Sequence, residues 1–196
     1  MRNKARRAQQ TLRIIGGVHR GRTYPFVSAD GLRPTTDRVK ETLFNWLQLW
    51  TAGARVLDLY AGSGSLSWEA WSREASAVVA IERNPSAMKA LRSVQQHLKA
   101  DSVQLIESDC QSVLAKQNSD KPFDIVFIDP PFADEHWAGV LDLLESRHWL
   151  SHTAWVYIEQ PIKTSEPPVP ECWRLHREKK AGQVMARLYQ RENNED

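Results

Sequence analysis

From residue 55 onward, short apolar runs alternate with stretches of helical period. Strands are predicted at 55–59, 77–81, 102–107, 123–128 and 154–158, with helices between them near 65–73, 85–99, 109–117 and 136–149. The run Ile125-Val126-Phe127-Ile128 has no polar alternation, the signature of a strand buried on both faces of a parallel sheet. Asn84-Pro85 supplies an N-cap and a first-turn proline for the second of these helices. Strand and helix alternating at this length predict an α/β fold with a doubly wound, mostly parallel sheet. Towards the end the pattern changes. Segments 173–178 and 183–190 read as strands joined across KKAG, a connection short enough to require antiparallel pairing. Ahead of the sheet, LRIIGGVHRGRTYPF reads as a β-hairpin around Gly16-Gly17 and Gly21. A helix is predicted from Asp37 to about Trp50, with Val39, Leu43, Trp46, Leu47 and Trp50 on one face.

The 196 residues suit one large domain with a small extension. The division expected is a disordered basic tail over 1–10, a hairpin extension over 11–34 and a catalytic domain over 35–192. No apolar stretch is long enough to span a bilayer, and no signal peptide is visible. Cys110 and Cys172 have no metal-like spacing, which predicts a reduced cytoplasmic protein without metal. The net charge of +2 conceals an asymmetry: residues 1–40 hold ten Lys/Arg against Asp30 and Asp37, while the remainder is net acidic. A basic arm on an acidic body points to a polyanion such as nucleic acid. Arg13, His19, Arg20, Arg22 and Arg33 are the candidate contacts. His19, Tyr24 and Phe26 fit either stacking on RNA or a hairpin core.

Two stretches carry chemistry. In VLDLYAGSGSLSWEA, a strand carrying Asp58 runs into a turn over Ala61-Gly62-Ser63-Gly64 and then a helix. Glycines let the backbone turn tightly, and the helix start offers free N–H groups. Glu82 ends the next strand, 20 residues after Gly62, where a carboxylate accepts from both hydroxyls of an adenosine ribose. NAD and S-adenosylmethionine share that ribose. Asp58, Glu82, Asp109 and Asp129, at four strand ends, predict a negative rim that suits a sulfonium and an ammonium better than two phosphates. Taken singly, Glu82 and Asp109 also read as helix caps or solvated acids. In FDIVFIDPPF, Pro130 stops the strand and Pro131 stiffens its exit. The resulting stub presents the Asp129 carboxylate, a proline carbonyl and Phe132 at the carboxyl edge of the sheet, where ligands sit in open α/β folds.

DLYAGSG, IER, ESDC and DPPF, in that order, resemble the successive motifs of Class I S-adenosylmethionine-dependent methyltransferases. With GLRPTTDRVKETLFNWL, RGR and REKKAGQV, the chain resembles the bacterial 16S ribosomal RNA guanine-N2 methyltransferase family from about Leu12 to Arg191. The resemblance implies a seven-stranded methyltransferase sheet and a basic hairpin contacting RNA. It also implies S-adenosylmethionine as cofactor, and N2-methylguanine in the head of the small ribosomal subunit as product. It places Asp58, Tyr60, Ala61, Gly62, Ser63, Gly64, Glu82, Arg83, Asp109 and Cys110 at the cofactor, and Asp129, Pro130, Pro131 and Phe132 at the reacting base. Thr35 and Arg38, at the polar entry of the first helix, fit either closure over the cofactor or contact with RNA. Partners follow: 16S ribosomal RNA or the assembling small subunit, with monomer as the default state. The sequence departs from the family at Ser67-Trp68, where glycine and leucine are usual. DPPF is shared with adenine-N6 methyltransferases, which keeps that activity open. An NAD-dependent oxidoreductase and a non-catalytic RNA-binding module are the readings from other classes.

Overall fold

The hairpin comes first in the chain: β1 (Gln10–Arg13) pairs antiparallel with β2 (Thr23–Phe26). The computed structural model describes residues 10–26, 37–131 and 137–192. Within them α1 (Asp37–Trp46), α2 (Ser65–Ser72), α3 (Pro85–Leu98), α4 (Cys110–Leu114) and α5 (Trp137–Ser146) flank a sheet. The sheet is made of β3 (Arg55–Asp58), β4 (Ala77–Glu82), β5 (Val103–Glu107), β6 (Phe123–Ile128), β7 (Leu150–Pro161), β8 (Trp173–Ala181) and β9 (Val184–Arg191). Its seven strands run in the order β5-β4-β3-β6-β7-β9-β8. The five expected strands pair in parallel, and β9 runs antiparallel between β7 and β8. Strand order reverses between β3 and β6, and the crevice at such a switch point receives ligands.

Side chains alternate between the two faces with period two. Val56, Ile125, Phe127 and Tyr157 share a core with Leu43 and Phe44 of α1, Trp68 of α2 and Leu91 of α3. Leu57, Val126, Ile128 and Ile158 pack instead with Leu114 of α4 and Leu141 of α5. The same alternation turns the positions of Asp58, Glu82, Asp129 and Glu159 towards the α1 side. Among the described residues, no helix is long and apolar enough to cross a membrane.

Several boundaries differ from expectation. The first helix stops at Trp46 rather than Trp50. Trp50 leaves the helix face and packs against Trp155 with tilted rings 4.2 Å apart, remaining 37% exposed, while Phe44 takes a core position. The fourth and fifth helices are shorter than predicted, and β7 extends at both ends beyond 154–158. The KKAG connection is also corrected: Lys179, Lys180 and Ala181 pair with β9, and the loop is Gly182-Gln183. Gly182, at φ 63°, supplies the left-handed residue that a two-residue hairpin loop requires.

The hairpin docks on the helical layer. Val18 N–H donates to the Ser72 carbonyl at 2.8 Å, and Ser72 Oγ donates to the Gly16 carbonyl at 2.6 Å. Gly17 lies at φ 74°, where a Cβ would fall 1.9 Å from Ser72 O, so the close approach admits only glycine.

Candidate active site

Asp58 closes β3 and points under the glycine turn. Ser67 Oγ, from α2, donates to Asp58 Oδ2 at 2.6 Å, and Tyr60 N–H donates to Oδ1 at 3.4 Å. Asp58 is only 2% exposed, and burial pushes its carboxyl up to about 6, with the Ser67 bond opposing. The serine that departs from the family pattern is therefore a hydrogen-bond donor as well as a small residue. Its neighbour Trp68 is fully buried and donates through Nε1 to the Ser63 carbonyl at 3.2 Å. Gly64, at φ 75°, lies so close to this indole that a Cβ would meet Nε1 at 2.2 Å.

Glu82 holds the turn from the other side. Its Oε2 accepts Gly62 N–H at 2.8 Å and its Oε1 accepts Asn84 N–H at 2.7 Å. The carboxylate thus fixes two loops at once. Asn84 caps α3 by accepting from Ser86 and Ala87 N–H, with Pro85 in the first turn as expected. Asp109 caps α4, accepting Ser112 N–H at 3.0 Å.

A cavity of about 600 Å³ opens over the carboxyl edge of the sheet. Tyr60, Glu82, Asp109, Asp129, Pro130 and Glu159 line it. Of the other predicted site residues, Arg38, Arg83, Cys110 and Pro131 also line it. Burial pushes the Cys110 thiol up, which keeps it protonated and inert. Asp58, Ala61, Gly62, Ser63 and Gly64 are not among the lining residues. Asp58 is buried beneath the turn, and Glu159 joins Glu82, Asp109 and Asp129 in lining the cavity. Thr35, Arg33 and Phe132 lie outside the described residues.

The RNA candidates fall into two groups. The His19 ring stacks on Trp71 with centroids 4.1 Å apart, and Tyr24 is buried in the core beneath the hairpin. Arg22 donates to the carbonyls of Leu98 and His97 at the end of α3. These residues hold the hairpin to the body. Arg13, 61% exposed beside Asp37, and Arg20 remain on the surface.

Sequence reasoning missed Tyr157, Glu159, Lys179 and Lys180, all in the cavity lining. The Tyr157 hydroxyl donates to Glu159 Oε2 at 2.8 Å, and Lys179 Nζ donates to Thr42 Oγ1 at 3.0 Å. The signal for Glu159 was present. Like Glu82, it follows an apolar run ending in isoleucine.

The family model described as "Conserved hypothetical protein 95" matches residues 12–190. Ribosomal RNA small subunit methyltransferase D of Escherichia coli strain K12 is 46% identical over 92% of this chain and 90% of its own length. The chain belongs to the ribosomal RNA small subunit methyltransferase D family. Its relative of that name from Haemophilus influenzae is 41% identical over 93% of this chain and 95% of its own. The fold is shared with solved structures of the same kind. A putative methyltransferase from Escherichia coli superposes with a TM-score of 0.86 at 45% identity, covering 94% of this chain and all of the other. A putative methylase from Haemophilus influenzae gives 0.79 at 36% identity, again over 94% of this chain and all of the other. Membership extends the methyltransferase family's fold over nearly the whole chain.

Proposed function

We propose that the chain transfers a methyl group from S-adenosylmethionine to the exocyclic N2 of a guanine in 16S ribosomal RNA. The observation that carries this reading is a shared cavity: the Asp129-Pro130-Pro131 stub faces the same space as Glu82 and Asp109. The residues fit such a donor. Glu82 is positioned by two backbone N–H groups and accepts from ribose hydroxyls, and Asp109 accepts from an adenine amino group. When bound, S-adenosylmethionine supplies an electrophilic methyl carbon next to sulfur.

The remaining work falls to the chain. An exocyclic purine amine is a weak nucleophile because its lone pair is delocalised into the ring. Asp129 and the Pro130 carbonyl accept its N–H hydrogens, which localises the lone pair and orients it in line. Phe132 stacks on the base, a contact of about 1–3 kcal/mol. The target base must leave its stack to reach the site. Once the new N–C bond forms, the nitrogen is strongly acidic, and Asp129 or water takes its proton. The division into a basic tail, a docked hairpin and a catalytic domain, working as a cytoplasmic monomer on the assembling subunit, completes the proposal.

The test is transfer of labelled methyl to small subunits, to naked 16S RNA and to DNA, followed by nucleoside digestion. N2-methylguanine from one of the RNA substrates is the expected product. Label only in N6-methyladenine would replace the guanine reading by the adenine one, and no transfer in any arm would overturn both.

A further inference from the structure

The DPPF stub does not choose between guanine and adenine, so the choice must rest on another residue in the cavity. β6 and β7 pair in parallel with Ile128 opposite Ile158. Asp129 and Glu159 are the next residues along and lie level with each other. Both line the cavity, and both follow aromatic residues, Phe127 and Tyr157, that share the α1-side core. Glu159 is 7% exposed. Its Oε2 accepts from Tyr157, which sets the carboxylate's orientation, and among the described residues no donor meets its Oε1. An acceptor oxygen at the wall of a ligand cavity is left free for a donor that arrives with the ligand. Burial raises the proton affinity of Glu159, as expected of a group lacking a full set of donors.

Guanine presents two donors side by side on its pairing edge, N1–H and the 2-amino group. Adenine presents an unprotonated N1 and no 2-amino group. Two level carboxylates match the first pattern and oppose the second.

We infer that Glu159 is the specificity-determining residue for guanine: its carboxylate accepts N1–H while Asp129 accepts from the 2-amino group. The inference rests on the guanine-N2 reading above. Drawing the N1 proton towards Glu159 also moves electron density towards N2. A site built around such a hydrogen bond rejects analogues lacking the donor strongly, because its own polar group is left unpaired.

The experiment uses small subunits reconstituted with 16S RNA carrying guanine, 2-aminopurine or 2,6-diaminopurine at the methylated position. All three bases keep the 2-amino group, and only guanine has N1–H. The full-length enzyme is expected to methylate guanine about 100-fold faster, in kcat/KM, than either analogue. Glu159→Gln is expected to lose about 100-fold on guanine and to close the gap to within about tenfold, because its amide donates to an unprotonated N1. S-adenosylhomocysteine affinity, read by calorimetry, should stay within about twofold and report an intact cavity. Wild-type enzyme that makes N2-methylguanine but treats 2-aminopurine as well as guanine would overturn the inference without any variant. Glu159→Gln that retains wild-type discrimination would do the same. Failure of the wild type to make N2-methylguanine at all would instead remove the guanine reading, and this inference with it.

Discussion

Two aspartates at strand ends do opposite jobs. Asp129 faces the cavity, whereas Asp58 is sealed beneath the turn. Asp129→Ala should abolish methyl transfer while leaving S-adenosylhomocysteine affinity within a few fold, read by single-turnover assay and calorimetry. A large loss of affinity would reassign Asp129 to the cofactor. Asp58 gives a pH signature. Its folded carboxyl titrates at about 6 against an ordinary 3.8, so the folded state holds the proton more tightly than the unfolded chain. Its stability contribution is complete below 3.8 and is lost as pH rises to about 6. Relative to Asp58→Asn, the wild type should lose on the order of 2–3 kcal/mol across that window and level off above it. Urea denaturation of both proteins at stepped pH reads this directly. A difference that is flat with pH would mean that Asp58 does not titrate there. The residues were legible as acids at strand ends, but the sequence does not reveal which acids are covered. Asp58 is covered because Ser67 and Trp68 sit against the turn, a packing relation between a strand and the next helix.

At the scale of elements, α2 anchors the hairpin through a buried charge cluster. Glu69, fully buried, accepts Arg73 Nε at 2.9 Å and Ile15 N–H at 2.9 Å, with Lys40 Nζ at 3.8 Å. Lys40 is 1% exposed and also donates to the Arg13 carbonyl at 2.7 Å. Burial lowers the Lys40 pKa and Glu69 opposes that shift. Removing one member leaves the others buried and uncompensated. Glu69→Gln should cost about 3–5 kcal/mol in urea denaturation, with part recovered when Lys40→Met is added. A double-variant loss equal to the sum of the two single losses would show no coupling. Central strands were legible because burial on both faces writes an unbroken apolar run. β8 was cut short because it is an edge strand: most of its side chains meet solvent, and Lys179 and Lys180 carry no apolar alternation. The polar segment that escaped the strand pattern is the one that reaches the cavity.

A basic segment of sequence precedes the docked hairpin. Residues 1–9 contain Arg2, Lys4, Arg6 and Arg7. Deleting them should weaken RNA binding and reduce the salt slope by roughly three, since each phosphate contact contributes about 0.7–0.9. Filter binding at stepped salt concentrations measures it, and an unchanged slope would leave this tail without a part in binding. A cut at residue 22 is a different experiment. It removes Ile14, which is 1% exposed, and the Ile15 bond to Glu69, so thermal unfolding should move well below that of the shorter deletion. Charge asymmetry was legible from composition. The docking of Arg22 and His19 was not, because it depends on carbonyls and an indole from distant helices.

β9 lies between β7 and β8, and the loop at Gly182-Gln183 borders the same cavity as Arg38. The wall on that side is therefore held in place by β9, the strand that follows the loop. A growing polypeptide still short of Val184 lacks the strand that gives β8 its place, and the mouth stays unwalled on that side.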